Sequence, residues 1–229
     1  MASVLDSQLM QGNFSTPAIR EIWSDENKIK AQLAVEGTLS KVEGELGVIP
    51  KEAGDKIASI ADIKNFDLDA IVKESAEKMH SLIALIHTLQ TLAGEESGEY
   101  VHFGATTQDI VDTGIMLQTK QAFDVLYKHS EALIAALTKQ TEKYRNTPMI
   151  GRTHGIQAIP ITFGFKLAVW LDEALRSQER LNELINHQVF VGSISGAVGT
   201  YAAFNGYGPE IEKRVLKALG LTGPNISWQ

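Results

Sequence analysis

Two short segments of this 229-residue chain combine a histidine with small and hydroxyl-bearing residues. The segment 151–160 reads GRTHGIQAIP, the segment 101–109 reads VHFGATTQD, and a helical pattern follows each of them. A helix N-terminus carries unpaired backbone N–H groups and roughly half a positive charge, so a loop that opens onto a helix can hold a carboxylate. A histidine beside such an anion is a candidate proton donor. We therefore expect the two loops to bind a carboxylate-rich substrate.

The composition excludes several classes of function. The formal net charge is −7 and the basic residues are scattered, so no basic patch for nucleic acid is expected. No apolar run reaches the ~18 residues of a membrane span, and the first residues lack the pattern of a signal peptide. We expect a cytoplasmic protein with neither nucleic acid nor membrane as a partner.

The cysteine and histidine content argues against thiol and metal chemistry. The chain has no cysteine, which excludes a disulfide framework, a thiol nucleophile and a cysteine-based zinc site. The six histidines are dispersed and form no HExxH pattern. No metal site is expected.

Helical periodicity dominates, and we predict an all-α fold. The predicted helices cover approximately residues 24–46, 51–60, 68–73, 75–93, 107–145, 162–187 and 210–219. Ser24 is the expected N-cap of the first, and Gly47 and Pro50 end it. At ~1.5 Å per residue the pattern from 107 to 145 would be over ~50 Å long, which is typical of a helix bundle.

Both loops resemble the fumarase/aspartase superfamily of lyases. The segments 14–25 (FSTPAIREIWSD), 46–50 (LGVIP) and 195–200 (SGAVGT) are similar to its branch of adenylosuccinate lyases and 3-carboxy-cis,cis-muconate cycloisomerases. The resemblance covers nearly the whole chain, and its GRTH and GATTQD elements are specific in combination. It implies a small N-terminal helical domain, residues 1–105, followed by an incomplete long-helix bundle of the fumarase/aspartase type, residues 106–229.

The resemblance also implies a reaction. In this superfamily a base removes a proton next to a carboxylate, a dianion forms, and a C–N or C–O bond breaks to release fumarate. The expected activity is of the adenylosuccinate lyase type, on a succinyl-type polycarboxylate, with no cofactor and in a homotetramer whose sites use loops of three subunits. A cycloisomerase-like enzyme is the alternative. Asn13-Phe14 stands where adenylosuccinate lyases often have an Arg-Tyr pair, which leans away from a nucleotide, whereas His80 looks more like the adenylosuccinate group.

The family signature SSxMPxKxNP, which carries the catalytic serine base, does not occur among these residues. We therefore expect a piece of a longer lyase that is inactive by itself. The apolar faces of the segments 107–145 and 162–187 would then lack partners and drive self-association. A non-catalytic helical assembly module is the alternative from another class.

Five residues carry the expected catalysis and part of the binding. The GRTH resemblance implies that His154 is the general acid. Arg152 either binds a substrate carboxylate through its planar guanidinium or clamps loop carbonyls. Thr153 orders the turn more than it touches substrate, and Gln157 either binds a carboxylate or caps the loop. His80 either lies near the general acid, as the resemblance implies, or is a helix-start histidine packed on apolar neighbours.

The first loop supplies the rest of the expected site. Thr107 is a good N-cap for the long helix, and together with Thr106 it matches the hydroxyl pair that binds carboxylate in the family. Gln108 and His102 match family positions too, with His102 expected behind the substrate-contacting residues. Asp109 would repel a polyanion, so we expect it to orient a histidine or a loop instead. The remaining histidines, His87, His129 and His187, are expected at the surface or at an interface, and the SGAVGT run is expected to be structural.

Overall fold

The computed structural model describes Val4 and residues 7–186 and 189–228. Within these ranges the chain is mostly helical with one small two-stranded sheet, which confirms the predicted all-α class. None of the described helices has the length and apolarity to cross a membrane. His187 and the predicted end of the third long helix lie outside the described residues.

The described residues form nine α-helices and one 3-10 turn at Ile63–Asn65. The helices are α1 (Gln11–Phe14), α2 (Pro17–Ile22), α3 (Asp25–Glu45), α4 (Lys51–Ile60), α5 (Leu68–Lys78), α6 (Ser81–Gly98), α7 (Thr107–Lys143), α8 (Phe163–Asn186) and α9 (Gly208–Ala218). Strands β1 (Pro148–Thr153) and β2 (Ile156–Thr162) form an antiparallel hairpin between α7 and α8.

Local signals set the bounds of α3. The Ser24 hydroxyl accepts the N–H of Asn27 at 3.1 Å, and Asp25 and Glu26 lie in the first turn, where the helix dipole favours negative charge. After Glu45 the chain reverses through Gly47, whose φ of +72° suits a residue without a Cβ. The predicted first helix is therefore confirmed to within a residue at each end.

The predicted bounds of α4 are confirmed, whereas the prediction was less accurate for α5 and α6. Instead of helices over 68–73 and 75–93, α5 runs to Lys78 and α6 runs from Ser81 to Gly98, with a kink at the non-helical Gly94, where the second helix was predicted to end. The break falls at Met79, which has a left-handed φ of +55°, and at His80, which caps α6. Neither residue is a glycine or a proline, so no usual helix breaker marks this position.

The chain divides into two compact units. Unit 1 comprises residues 1–122 and 190–229, and unit 2 comprises residues 123–189. In unit 1, α3 packs against α4 and α9, and α6 packs against α4 and α5. The largest fully buried apolar side chains there are Leu33, Leu39, Ile57, Leu82, Leu85, Leu89, Ile110, Ile194, Phe204, Ile211 and Leu216. These units do not coincide with the boundary expected at 105/106, and the domain organisation of the whole protein stays a prediction.

Unit 2 contains the second half of α7, the hairpin and all of α8. The Tyr127 hydroxyl donates to Oδ1 of Asn182 at 2.7 Å, and the rings of Tyr144 and Phe163 pack with centroids 5.1 Å apart. Many apolar side chains of its helices are exposed, among them Leu126, Leu133, Val169, Trp170, Leu175 and Leu184. This unit therefore presents apolar surface to solvent.

Candidate active site

The GRTH segment is a β-hairpin rather than a loop that opens onto a helix. Thr153 pairs with Ile156, so His154 and Gly155 form a two-residue turn, with φ of +50° and +75°. Two positive φ values in a row define the type I′ turn that suits the twist of a hairpin. The helix begins only at Phe163. The expectation that a helix N-terminus adjoins His154 was therefore wrong, and no helix dipole acts at that position.

The hairpin brings two expected substrate-binding residues side by side. Arg152 pairs directly with Gln157 across the strands, so both side chains project from one face of the hairpin. Thr153 projects from the opposite face. Gly151 lies at a break in register, where a Cβ would come within 2.7 Å of the Ile159 carbonyl oxygen. Arg152, Thr153, His154 and Gln157 are all exposed, so the turn presents them to solvent.

The GATTQD segment leads into a helix N-terminus, as expected. α7 begins at Thr107, and the backbone N–H of Thr106 donates to Oδ2 of Asp109 at 3.0 Å. Thr106 is thus the capping residue, one position before the expected cap, a difference within the usual uncertainty of helix ends. Both threonines are half-buried, while Gln108 is exposed and donates to Oδ1 of Asp112. This end of α7 can hold an anion through N–H groups and hydroxyls.

Asp109 orients a second loop toward the start of α7. It is fully buried, and besides Thr106 its carboxylate accepts the backbone N–H groups of Ser195 and Gly196, each at 2.9 Å. Ser195 therefore has a structural environment, as the sequence suggested for the SGAVGT run. Because backbone donors satisfy this carboxylate, its negative charge is partly compensated beside the anion-binding loop.

A second buried carboxylate, on α9, holds the same loop. Glu212 on α9 is buried and accepts the N–H of Ile194 at 2.9 Å and the hydroxyl of Tyr201 at 2.8 Å. Burial, and then the hydrogen bond and charge of Glu212, raise the pKa of Tyr201 to about 12, so the phenol stays protonated and donates. The role of Glu212 was not predictable from the sequence, where it looks like an ordinary helical glutamate.

His102 lies in the GATTQD loop with a buried partner from α3. Its Nδ1 is 2.7 Å from Oε1 of Glu36, a contact that joins residues 66 positions apart. The side chain of Glu36 is fully buried and that of His102 is 18% exposed. Burial lowers the pKa of His102, but the hydrogen bond and charge of Glu36 and the charge of Asp109 outweigh it, and the net pKa is raised.

His80 has a local role in the helix that follows it. Its Nδ1 accepts the N–H of Ile83 at 3.3 Å, so this histidine caps α6. Among the described residues its hydrogen bond is thus made within α6 and not with the loop at 102–108. This placement matches the helix-start alternative for its position, and its catalytic role stays a prediction.

The structure groups the expected site residues within each unit. Unit 1 contains His80, and it contains His102, Thr106, Thr107 and Gln108 in the loop before α7 and in its first turn. Unit 2 contains Arg152, Thr153, His154 and Gln157, all in the hairpin. The described residues include no cluster of three or more histidine, aspartate or glutamate side chains that could hold a metal. Each unit thus contains donors that can bind an anion, and each contains at least one of the expected site histidines.

Comparison with known proteins supports one family throughout. A family model described as Lyase matches residues 10–229. The chain is 51% identical to N-acetyl-S-(2-succino)cysteine lyase from Enterococcus italicus over 226 residues, and 39% identical to adenylosuccinate lyase from Methanocaldococcus jannaschii over 216 residues. These alignments cover 99% and 94% of this chain, and 49% and 46% of the relatives.

A solved structure gives the same result. The 3-carboxy-cis,cis-muconate lactonizing enzyme from Pseudomonas putida superposes with a TM-score of 0.91 at 33% identity, over 97% of this chain and 51% of that one. The chain thus spans about half the length of the curated relatives that it matches.

Proposed function

The chain belongs to the fumarase/aspartase superfamily of lyases, in the branch of adenylosuccinate lyases and carboxymuconate cycloisomerases, and from this membership we propose its activity. The whole protein eliminates a thiol from an S-(2-succinyl) compound such as N-acetyl-S-(2-succino)cysteine and releases fumarate. The observation that carries this proposal is the 51% identity, over 99% of the chain, to a lyase named for that substrate.

The substrate differs from the adenylosuccinate-type compound that the sequence alone favoured. Identity to the adenylosuccinate lyase is lower, at 39%. Asn13-Phe14, in place of the Arg-Tyr pair expected for a nucleotide phosphate, also supports a smaller substrate. The exposed Met79 beside His80 adds an apolar group next to a candidate site residue.

The proposed reaction is a β-elimination. A base removes the proton on the carbon between the thioether carbon and a carboxylate, and that carboxylate takes up the negative charge as a dianion. The electron pair then forms the C=C bond of fumarate as the C–S bond breaks, and the sulfur leaves with the bonding pair and takes up a proton to give the thiol. The base is not assigned to a residue of this chain, because the signature that carries it is not among the 229 residues.

The described residues have three roles in this scheme. The Thr106 and Thr107 hydroxyls, with the free N–H groups of α7, stabilise the carboxylate whose charge grows in the transition state. Arg152 and Gln157, paired on one hairpin face, bind the second carboxylate. His154, at the exposed turn, donates a proton to the departing sulfur. As in the family, these loops come together between subunits of a homo-oligomer in the cytoplasm, without nucleic acid or membrane.

A panel of substrates tests this function. The complete protein is incubated with N-acetyl-S-(2-succino)cysteine, adenylosuccinate and argininosuccinate, and fumarate is measured for each by a coupled assay. We expect the highest kcat/KM for the thioether. A kcat/KM that is higher for adenylosuccinate would overturn the proposed substrate but not the family.

Cycloisomerisation of 3-carboxy-cis,cis-muconate is the second candidate. The TM-score of 0.91 to a lactonizing enzyme favours it. The same anion-binding loops would hold a tricarboxylate, and the histidine would transfer a proton without loss of a leaving group. Formation of a lactone from carboxymuconate, with no fumarate from the thioether, would favour this candidate.

A further inference from the structure

One face of α3 carries a row of buried polar side chains inside unit 1. Gln32, Glu36, Ser40 and Glu43 are spaced by four, four and three residues, so they share a face of the helix. None of them is more than 3% exposed. Among the described residues, the second carboxylate oxygen of Glu36, the Ser40 hydroxyl and both oxygens of Glu43 have no hydrogen-bond partner. Burying such groups costs free energy, which points to a role for the row.

Among the described residues, His102 is the histidine that forms a hydrogen bond with this row, through Glu36. A carboxylate only accepts, so at 2.7 Å it is Nδ1–H of His102 that donates to Glu36. Its backbone has a left-handed φ of +62°, a conformation that costs a residue with a Cβ roughly 1 kcal/mol. The buried hydrogen bond helps to hold this backbone, four residues before Thr106. With Nδ1 engaged, Nε2 is the ring atom left to meet a ligand.

Two acidic residues favour protonation of the His102 ring, and a third adds no charge at pH 7. Glu36 of α3 and Asp109 of α7 both favour a protonated imidazole. Burial, and then the charge of Glu36, raise the pKa of Glu43 to about 9, so Glu43 is neutral at pH 7 and adds no negative charge to the row. In this row Glu36 is therefore the hydrogen-bond partner of His102, and Glu43 is a neutral acid at pH 7.

We infer that Glu36 is a positioning residue that holds Nδ1 of His102 by a buried hydrogen bond and so directs Nε2 of the ring toward a carboxylate of the substrate at the Thr106–Thr107 loop. The identity of that anion as a succinyl carboxylate rests on the proposed function, whereas the hydrogen bond between Glu36 and His102 does not.

Histidine C2 deuterium exchange followed by mass spectrometry tests the tie without any substrate. It is applied to the complete protein and to its Glu36→Gln, Glu36→Asp and Glu43→Gln variants. The pKa of His102 lies above 6.5, the ordinary histidine value, in the parent protein. In Glu36→Gln the pKa falls, because burial still lowers it and only the charge of Asp109 remains to raise it. An unchanged pKa in Glu36→Gln would overturn the inference.

The other two variants keep the test decisive. Glu36→Asp retains the charge, so the pKa of His102 stays above that of Glu36→Gln even where the Gln variant folds poorly. Glu43→Gln replaces an acid that is already neutral at pH 7 and leaves the His102 pKa unchanged. A pKa that falls equally in Glu36→Gln and Glu43→Gln would mean a general disturbance of α3 and would overturn the specific role of Glu36.

The pH dependence of KM tests whether His102 contacts the substrate carboxylate. With the thioether, we expect KM in Glu36→Gln to rise about tenfold at pH 7 while kcat changes less, as a charge-assisted hydrogen bond to the carboxylate is lost. The increase of KM with pH should begin at a lower pH in Glu36→Gln than in the parent protein. A shifted His102 pKa with an unchanged KM profile would refute the contact with substrate. An absence of turnover in the parent itself would instead refute the proposed function.

Discussion

Oδ1 of Asp109 accepts the backbone N–H of Ser195 at 2.9 Å, and this buried hydrogen bond joins the start of α7 to a loop 86 residues further along the chain. The same carboxylate accepts the N–H groups of Gly196 and Thr106. One side chain therefore sets the position of the anion-binding loop relative to the Gly192–Gly196 segment within unit 1. The first expectation concerns its removal.

Asp109→Asn should destabilise the protein by about 1.5–3 kcal/mol, because an NH₂ group replaces an acceptor that faces backbone donors. Chemical denaturation of the complete protein measures this loss of unfolding free energy. Asp124→Asn, on the exposed side of the same helix, is the matched control and should change it little. Equal effects of the two substitutions would show that the buried network contributes nothing specific.

A second expectation concerns Gly104 in the loop between His102 and Thr106. Its φ is +68°, and a Cβ there would lie 2.5 Å from the ring of the buried Phe204. Gly104→Ala should therefore cost roughly 1–3 kcal/mol for overpacking, in addition to backbone strain. Gly47→Ala, with φ of +72° and no atom within 4 Å of its Cβ, isolates the strain alone. The midpoint of thermal unfolding should fall further for Gly104→Ala, and a larger fall for Gly47→Ala would contradict the contact with Phe204.

Glu43 gives the stability of the protein a predictable dependence on pH. Its pKa is raised from 4.5 to about 9 in the folded state, by burial first and by the charge of Glu36 second. A raised folded pKa means that the stabilising contribution is complete below about pH 4.5 and is lost as pH rises toward about 9. Glu43→Gln cannot ionise and should lose less stability over this range.

Parallel urea unfolding of the parent and of Glu43→Gln measures that difference. Between about pH 6 and pH 8 the parent should lose roughly 1–3 kcal/mol relative to the variant, from the linkage slope of ~1.4 kcal/mol per unit. Glu45→Gln, exposed on the same helix, is the control. Identical pH profiles for the parent and Glu43→Gln would show that Glu43 is ionised in the folded protein at neutral pH.

Local sequence signals predicted the elements that are governed by caps and periodicity. α3, α4 and α7 begin and end within two residues of their predicted bounds, since Ser24, Pro50 and Thr107 mark the starts. The hairpin at 148–162 was missed, because a His-Gly turn with two positive φ values is a weaker signal than Asn-Gly. The break at Met79 and His80 was missed because neither residue is a usual helix breaker.

The residues of the candidate site could be predicted from their sequence motifs, but the residues that hold them in place could not. The resemblance of GATTQD and GRTH to a family located the residues, and the start of α7 at Thr107 was correctly placed. The partner of His102 was not predictable, because Glu36 lies 66 residues away in the sequence, on a different helix. A glutamate on the core face of a helix indicates that a buried hydrogen-bond partner exists, but tertiary packing decides which residue that partner is.

A further expectation concerns the proton donor. In the complete protein, His154→Ala should lower turnover by ~10²–10⁴-fold with little change in thermal unfolding, since the residue lies exposed at a turn. His129→Ala, exposed on α7, should be nearly neutral. Steady-state kinetics with the thioether compares them, and equal losses at the two positions would refute the assignment of the hairpin.

The release of two products from one substrate tests the central claim most directly. The complete protein is incubated with N-acetyl-S-(2-succino)cysteine, and free thiol and fumarate are quantified in the same sample over time. We expect both to rise together in equal amounts, with no change in samples that lack the protein. A failure to release thiol and fumarate from this compound, in a folded preparation that is active on adenylosuccinate or on carboxymuconate, would contradict the proposed function.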